Sequence, residues 1–201
     1  DLAMMRAIHG STVLYPSDPI STAKLVEKMY GVEGVSYMRT TREKTRVIYK
    51  EDDTFEIGGS KVVRSSADDM LTLVGAGITL HECLKAHDEL KAQGIHVRVI
   101  DLYSIKPIDA RTLTTAARET GTLIVVEDHW PEGGMGDAVL DAFTPKGPVT
   151  RGGKVVSLDV MPKVVKIAVR DMPGSGTPEE LMDAAGITAS HIVATVKSLV
   201  S

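Results

Sequence analysis

Residues 121–139 read GTLIVVEDHWPEGGMGDAV, and this stretch decides the architecture. Thr122 to Val126 is a run of mostly β-branched residues, too short for a helix and right for a strand covered on both faces. It ends in Glu127, Asp128 and His129, and then in the glycines 133, 134 and 136. From Asp137 to Phe143 the apolar positions Val139, Leu140 and Phe143 return at helical spacing. Strand, acidic turn, glycine turn and helix make one unit of an α/β sheet. Its polar groups emerge at the strand's carboxyl end, where open α/β sheets place ligands.

Outward from this unit, strands and helices alternate as a parallel sheet requires. On the amino-terminal side, Leu71 to Gly75 predicts a central strand and Val62–Val63 an edge strand. A helix runs to about Gln93, with Thr79 and Glu82 as a capping box and Leu80, Cys83, Leu84, His87 and Leu90 along one side. Val97 to Ile100 is the next strand, and Pro107 and Asp109 precede a helix from Ala110 to about Glu119. On the carboxyl side, Lys154 to Asp159 and Val164 to Val169 are two further apolar runs. Thr177-Pro178-Glu179-Glu180 supplies cap, first-turn proline and box partner for a helix from Glu179 to Ala185. Thr188 is positioned to cap the last helix, which buries Ile192, Val193, Val196 and Leu199. The first 40 residues form a separate βαβ unit: strand Thr12–Tyr15, a helix capped by Ser21 or Thr22 with Leu25, Val26 and Met29 inward, and strand Val35–Arg39. One such unit cannot bury both its faces, so it reads as the tail of a larger sheet. Residues 42–60 are polar, with acidic residues and Gly58-Gly59, and make the best linker.

Composition narrows the function. A net charge of −4 with interleaved signs over 201 residues argues against nucleic acid or an anionic membrane as partner. No apolar run approaches the roughly 20 residues of a membrane helix. Cys83 is the one cysteine, which excludes an internal disulfide and fits a reducing, cytoplasmic compartment. The sequence opens on Asp1 without a signal peptide or a starting methionine, as expected of a processed or partial chain.

Gly75-Ala76-Gly77, with Asp101 after the next strand, has the outline of a dinucleotide site. Leu80 stands where the third glycine of that fingerprint belongs, so a tight structural turn is the favoured reading. Glu127, Asp128 and His129 could serve as metal ligands or as an acid–base pair. Neighbours on an extended segment point to opposite faces, however, and do not converge on one ion without a bend. The glycine turn offers free amides that suit an anion, or that the acidic cluster itself satisfies. The other histidines share no spacing. Arg39, Arg42, Lys44 and Arg46 are the one basic cluster, readable as a solvated linker or as a bidentate phosphate site.

VEDHWPEGGMGDAV, LVGAGITLHECLKAHDELKAQGIHVRVIDLYSIKPID, the opening DLAMMRAIHGSTVLYPSD and the closing MPGSGTPEELMDAAGI together resemble transketolase, in its shorter, animal-like form. The beta subunits of 2-oxo-acid dehydrogenases and deoxyxylulose-phosphate synthase share the GAG turn, the VIDL strand and the GGxG turn, but not the EDHWPEGG and MPGSGTPEEL forms. The resemblance implies an α/β fold with a mixed, mainly parallel sheet flanked by helices in three layers, preceded by a partial βαβ unit. Residues 1–50 would be the tail of a pyrimidine-binding domain, 51–60 a linker and 61–201 the transketolase C-terminal domain. The complete enzyme would be a homodimer that moves a two-carbon ketol unit between sugar phosphates, using thiamine diphosphate with Mg2+ or Ca2+. The family's cofactor-binding and activating residues would lie in its amino-terminal part, leaving this chain alone without cofactor and inactive. By the same resemblance Arg42, in MRTTRE, binds the substrate's phosphate. Two departures are visible: Thr150 to Val160 is an insertion, read as an extra hairpin, and Gly174 replaces the arginine usual in animal relatives. Rival readings are a dimerisation or regulatory module with an effector at the Gly133–Gly136 turn, and the C-terminal part of a 2-oxo-acid dehydrogenase beta subunit or of deoxyxylulose-phosphate synthase.

Overall fold

Alternate residues along the central strands face opposite ways, and both directions are apolar. The computed structural model, which describes residues 1–144, 150–151, 154–155 and 161–200, shows what covers each face. Five strands form one sheet in the order β10-β7-β4-β5-β3: β3 is Lys61–Arg64, β4 Thr72–Gly75, β5 Arg98–Asp101, β7 Thr122–Glu127 and β10 Lys163–Ala168. All neighbours are parallel except β3, which pairs antiparallel with β5 at the edge. Leu73, Val99, Ile124 and Val126 face α3 (Ile78–Ala92) and α7 (Ala189–Val200), packing on Leu80, Cys83, Leu90, Ile192 and Val196. Val74, Ile100, Leu123 and Val125 face α4 (Ala110–Thr120) and α5 (Met135–Ala142), meeting Leu113, Ala116 and Val139. Covering a sheet on both faces removes the apolar–polar alternation of a half-buried strand. The result is the expected three-layer, mainly parallel α/β fold.

A second, three-stranded sheet carries the start of the chain, in the order β2-β1-β6. β1 (Thr12–Leu14) and β2 (Ser36–Met38) are parallel and joined by α2 (Pro19–Tyr30), the expected βαβ unit. β6 (Ser104–Lys106), not read from the sequence, leaves the large sheet just after β5 and pairs antiparallel with β1. Helix α1 (Leu2–Ala7) was not read either; it is held by Asp1 at its cap and by buried Leu2. A third core joins the two sheets. Phe55 lies edge-on to Tyr49 and Tyr103, with centroids 4.9 and 5.1 Å away, and with Leu14 and Leu25 alongside.

Three helix starts differ from the sequence reading. α2 is capped by Asp18, whose carboxylate accepts the Ser21 amide at 2.7 Å, so Pro19 takes the first turn and Ser21 becomes the box partner. Its buried stripe is Ser21 and Leu25, which turns Val26 out to 54% exposure. Thr79 and Glu82 do not box α3, which begins after Gly77 without a side-chain cap. The Thr79 hydroxyl instead bonds Ala76, and Glu82 crosses to accept the Ala189 amide at 2.8 Å. Thr188 spends its hydroxyl on Ser190 and His191, so Glu82 serves the α7 terminus in its place. The Thr177–Glu180 box of α6 (Pro178–Ala184) is present as read. In the insertion, β8 (Thr150–Arg151) and β9 (Lys154–Val155) pair antiparallel; the rest of the expected strand Lys154–Asp159, at 156–159, lies outside the described residues.

Candidate functional site

The carboxyl ends of β4, β5 and β7 meet the βαβ unit, and several of the buried polar groups gather there. Glu127, the last residue of β7, turns back under α5: its carboxylate accepts the amides of Met135 at 2.6 Å and Gly136 at 3.2 Å. A Cβ at Gly134 would strike that carboxylate, and one at Gly136 would come within 2.8 Å of it. The glycines therefore let the acid reach the helix terminus. Asp137 takes the Gly133 amide, so Gly133, Met135 and Gly136 hold none of theirs for an outside anion. Burial raises Glu127 to about 7 against the pull of those amides and Lys166. Of the two sequence readings of this turn, the acidic cluster satisfying the amides is the one observed.

Asp128 points the other way, as the alternation of an extended segment requires. Its carboxylate accepts Arg39 at 3.0 Å and the Tyr15 hydroxyl at 2.9 Å. The Arg39 guanidinium lies 4.9 Å from the Tyr15 ring centroid and reaches Asp1 at 3.3 Å. Burial, with the Asp128 charge, pushes the Tyr15 hydroxyl far above its ordinary range, so Tyr15 is a fixed donor. His129 donates from Nδ1 to the Trp130 carbonyl at 2.8 Å and faces the Ala3 amide with Nε2 at 3.4 Å. Burial lowers its pKa. With both ring nitrogens engaged, His129 has none to offer a metal. The three residues diverge, and among the described residues no group of three His, Cys, Asp or Glu side chains could hold an ion.

The GAG turn is structural. Gly77 has a φ of +54°, and a Cβ there would lie 2.0 Å from two carbons of the Tyr15 ring. Asp101 is fully buried, accepting Tyr49 Oη at 2.6 Å and Ser17 Oγ at 2.9 Å, with no face left for a ribose. Burial raises its pKa from 3.8 to about 7, against the pull of these two donors. Asp101 and Glu127 therefore bind protons more tightly folded than unfolded. Their share of the unfolding free energy is full below about pH 4 and is lost as pH rises to about 7. Asp101→Asn, which keeps the shape without the charge, is expected to flatten that slope and to stabilise the fold at pH 8. Urea unfolding at pH 5 and pH 8 measures it; an unchanged slope would clear Asp101 of the effect.

The basic cluster divides. Arg39 is spent on Asp128 and Asp1, whereas Arg42 is exposed in the bend after β2 and has no hydrogen bond or ion pair among the described residues. It sits beyond the carboxyl end of a parallel pair, a position suited to a ligand. Sequence reasoning missed the Arg39–Tyr15–Asp128 junction, whose members lie far apart in the chain. Gly174, the other departure, lines an apolar cavity of about 330 Å3 beside Leu181 and Met182; that cavity has no lysine or arginine in its wall.

The description "Transketolase, C-terminal domain" matches residues 59–192. Mouse transketolase-like protein 2 is 48% identical over 201 residues, and mouse transketolase 42% over 202. Each alignment covers 100% of this chain and 30% of the relative, so the chain spans under a third of these curated proteins. A split-gene transketolase, solved as an inactive beta4 tetramer, superposes with a TM-score of 0.82 at 33% identity, covering 98% of this chain and 59% of that one. Transketolase from Campylobacter jejuni shares the fold, with a TM-score of 0.73 at 15% identity over 98% of this chain and 27% of that one. With its C-terminal-domain match extending over residues 59–192, the chain belongs to the transketolase family.

Proposed function

We propose that this chain is the C-terminal part of an enzyme that transfers a two-carbon ketol unit between sugar phosphates, and that Arg42 anchors the substrate's phosphate. The observation that carries the assignment is the exposed guanidinium of Arg42 in the bend after β2, without a hydrogen bond or ion pair among the described residues, near an Arg39 already committed to Asp128. A guanidinium matches a phosphate with two parallel hydrogen bonds. Held far from the reacting carbon, the phosphate lends remote binding energy to orientation.

The described residues do not fit thiamine diphosphate and its cation. Glu127 and Asp101 are buried and engaged, and among the described residues no group of three His, Cys, Asp or Glu side chains could hold the cation. We therefore place that cofactor, with Mg2+ or Ca2+, on polypeptide beyond this chain. On this reading residues 1–50 complete a pyrimidine-binding domain, 51–60 connect it and 61–201 form the C-terminal domain of a cytoplasmic enzyme. Alone, the chain is inactive.

The test is ketol transfer from xylulose 5-phosphate to ribose 5-phosphate, comparing the chain alone with the chain plus the polypeptide encoded upstream. Activity is expected only in the mixture. Arg42→Ala is expected to raise the sugar-phosphate KM about 10- to 100-fold, the loss of a charge-assisted pair, with kcat nearly kept. An unchanged KM would remove Arg42 from the site. Self-association is a second expectation, favoured by the exposure of Met4 (73%) and Tyr30 (97%) and by the tetramer of the split-gene relative. Sizing of the isolated chain tests it, and a monomer would count against it.

A further inference from the structure

Arg42 does not exhaust the basic cluster. Past it the chain turns along α3, and Arg46 lines a cleft of about 200 Å3 with Arg64 of β3 and with His81 and Lys85 of α3. The floor is apolar, made by Val47, Ile48 and Leu84. Arg46 has no hydrogen bond or ion pair among the described residues, and Arg64 donates only to the Val63 carbonyl, at 2.8 Å. Lys85 is paired with Glu82 at 2.7 Å. The one acid in the wall, Asp88, pairs with His87 at 3.0 Å. His81 Nε2 lies 2.6 Å from the Ser17 carbonyl, an acceptor, so Nε2 carries the proton and Nδ1 is the nitrogen left over.

Two guanidinium groups from separate elements thus line one cleft, and neither pairs with a carboxylate among the described residues. We propose that this cleft binds the phosphoryl group of a small phosphorylated metabolite, at a site separate from Arg42. Unpaired guanidinium groups repel, and a dianion between them removes the repulsion while accepting bidentate bonds from both. The cleft is smaller than the roughly 300–1,000 Å3 of pockets that enclose whole ligands, so it takes the compact charged end of a molecule. An adjoining cavity of about 340 Å3 shares Arg46, His81 and Lys85, and gives the carrier of that phosphoryl group somewhere to lie. Glu43, Glu82 and Glu179 line that second cavity beside Lys44, which disfavours the dianion there and directs it to the smaller cleft.

The experiment is a titration of the isotope-labelled full chain with inorganic phosphate, ribose 5-phosphate and ribose, followed by backbone amide chemical shifts at fixed ionic strength. Phosphate and ribose 5-phosphate are expected to move the amides of residues 46–48, 64 and 81–85 with saturation, and ribose to move none of them. Tighter binding of ribose 5-phosphate than of phosphate would show that the adjoining cavity reads the carrier; equal binding would show that the cleft reads the phosphoryl group alone. Arg46→Gln with Arg64→Gln is expected to weaken binding at least tenfold, and the paired lysine variants to restore part of it. Arg42→Ala is expected to leave these shifts unchanged, which separates this site from the one proposed for the sugar substrate. Shifts confined to the neighbours of Arg42, shifts that never saturate, or equal affinity in the double glutamine variant would overturn the proposal. The map on the unaltered chain decides the question even if a variant folds poorly.

Discussion

Replacing Gly77 by alanine is expected to destabilise the fold by about 4 kcal/mol, the sum of a strained backbone and an overfilled core. Gly77 holds φ +54° and ψ −128° at the start of α3, a region that residues with a Cβ rarely enter. The added methyl would overlap the Tyr15 ring, which is 2% exposed and packed on all sides. Tyr15 cannot yield cheaply, because its hydroxyl bonds Asp128 and its ring lies under Arg39. For a chain of this size the change corresponds to a fall in Tm of roughly 8–16 °C. Pairing the substitution with Tyr15→Ala separates the two costs: the overlap disappears in the double variant, and the backbone strain persists. Thermal unfolding within 2 °C of the parent would show that the turn relaxes freely.

Phe55→Ala is expected to cost a similar amount, about 3–5 kcal/mol, as for other fully buried aromatic side chains. Phe55 is 1% exposed and is the middle ring of three, edge-on to both Tyr49 and Tyr103. The Lys61 ammonium lies 4.9 Å from its ring centroid. Removing the ring opens a cavity between two tyrosines whose hydroxyls are committed, Tyr49 to Asp101 and Tyr103 to the Glu56 carbonyl. Neither can swing in to fill the space without leaving its partner. Phe55→Leu should recover most of the loss. Urea unfolding with unchanged cooperativity gives the number, and a cost below about 1 kcal/mol would mean that the tyrosines close over the gap.

The central sheet was legible because strands covered on both faces are written as continuous apolar runs, as in LTLVG and TLIVV. β6 was not, since three residues, Ser104–Lys106, carry no period. The helix starts show where local chemistry stops deciding. Asp18, Ser21 and Thr22 could each cap α2, and the choice follows from the other oxygen of Asp18, which accepts the amides of Ile48 and Tyr49 at 2.8 and 3.0 Å. Glu82 likewise spaced correctly for a box with Thr79, but an amide on a distant helix claims it. At the candidate site, the cluster of Arg39, Arg42, Lys44 and Arg46 was visible as a run of charge. Which of its members face a carboxylate and which face solvent depends on Asp128 and α3, brought alongside only by the fold.

The register of β1 has a consequence for the order in which the chain becomes self-sufficient. Val13 lies opposite Lys106, so one edge of the first strand stays open during synthesis until residue 106 has left the ribosome. Non-local pairing of this kind delays closure. It also binds the two ends of the intervening stretch to each other. A protease cut in the exposed bend after β2, at Arg42–Lys44, would sever the backbone but not the strand pairing, the aromatic cluster or the Asp128–Arg39 pair. The nicked halves would remain one particle, separable only by unfolding.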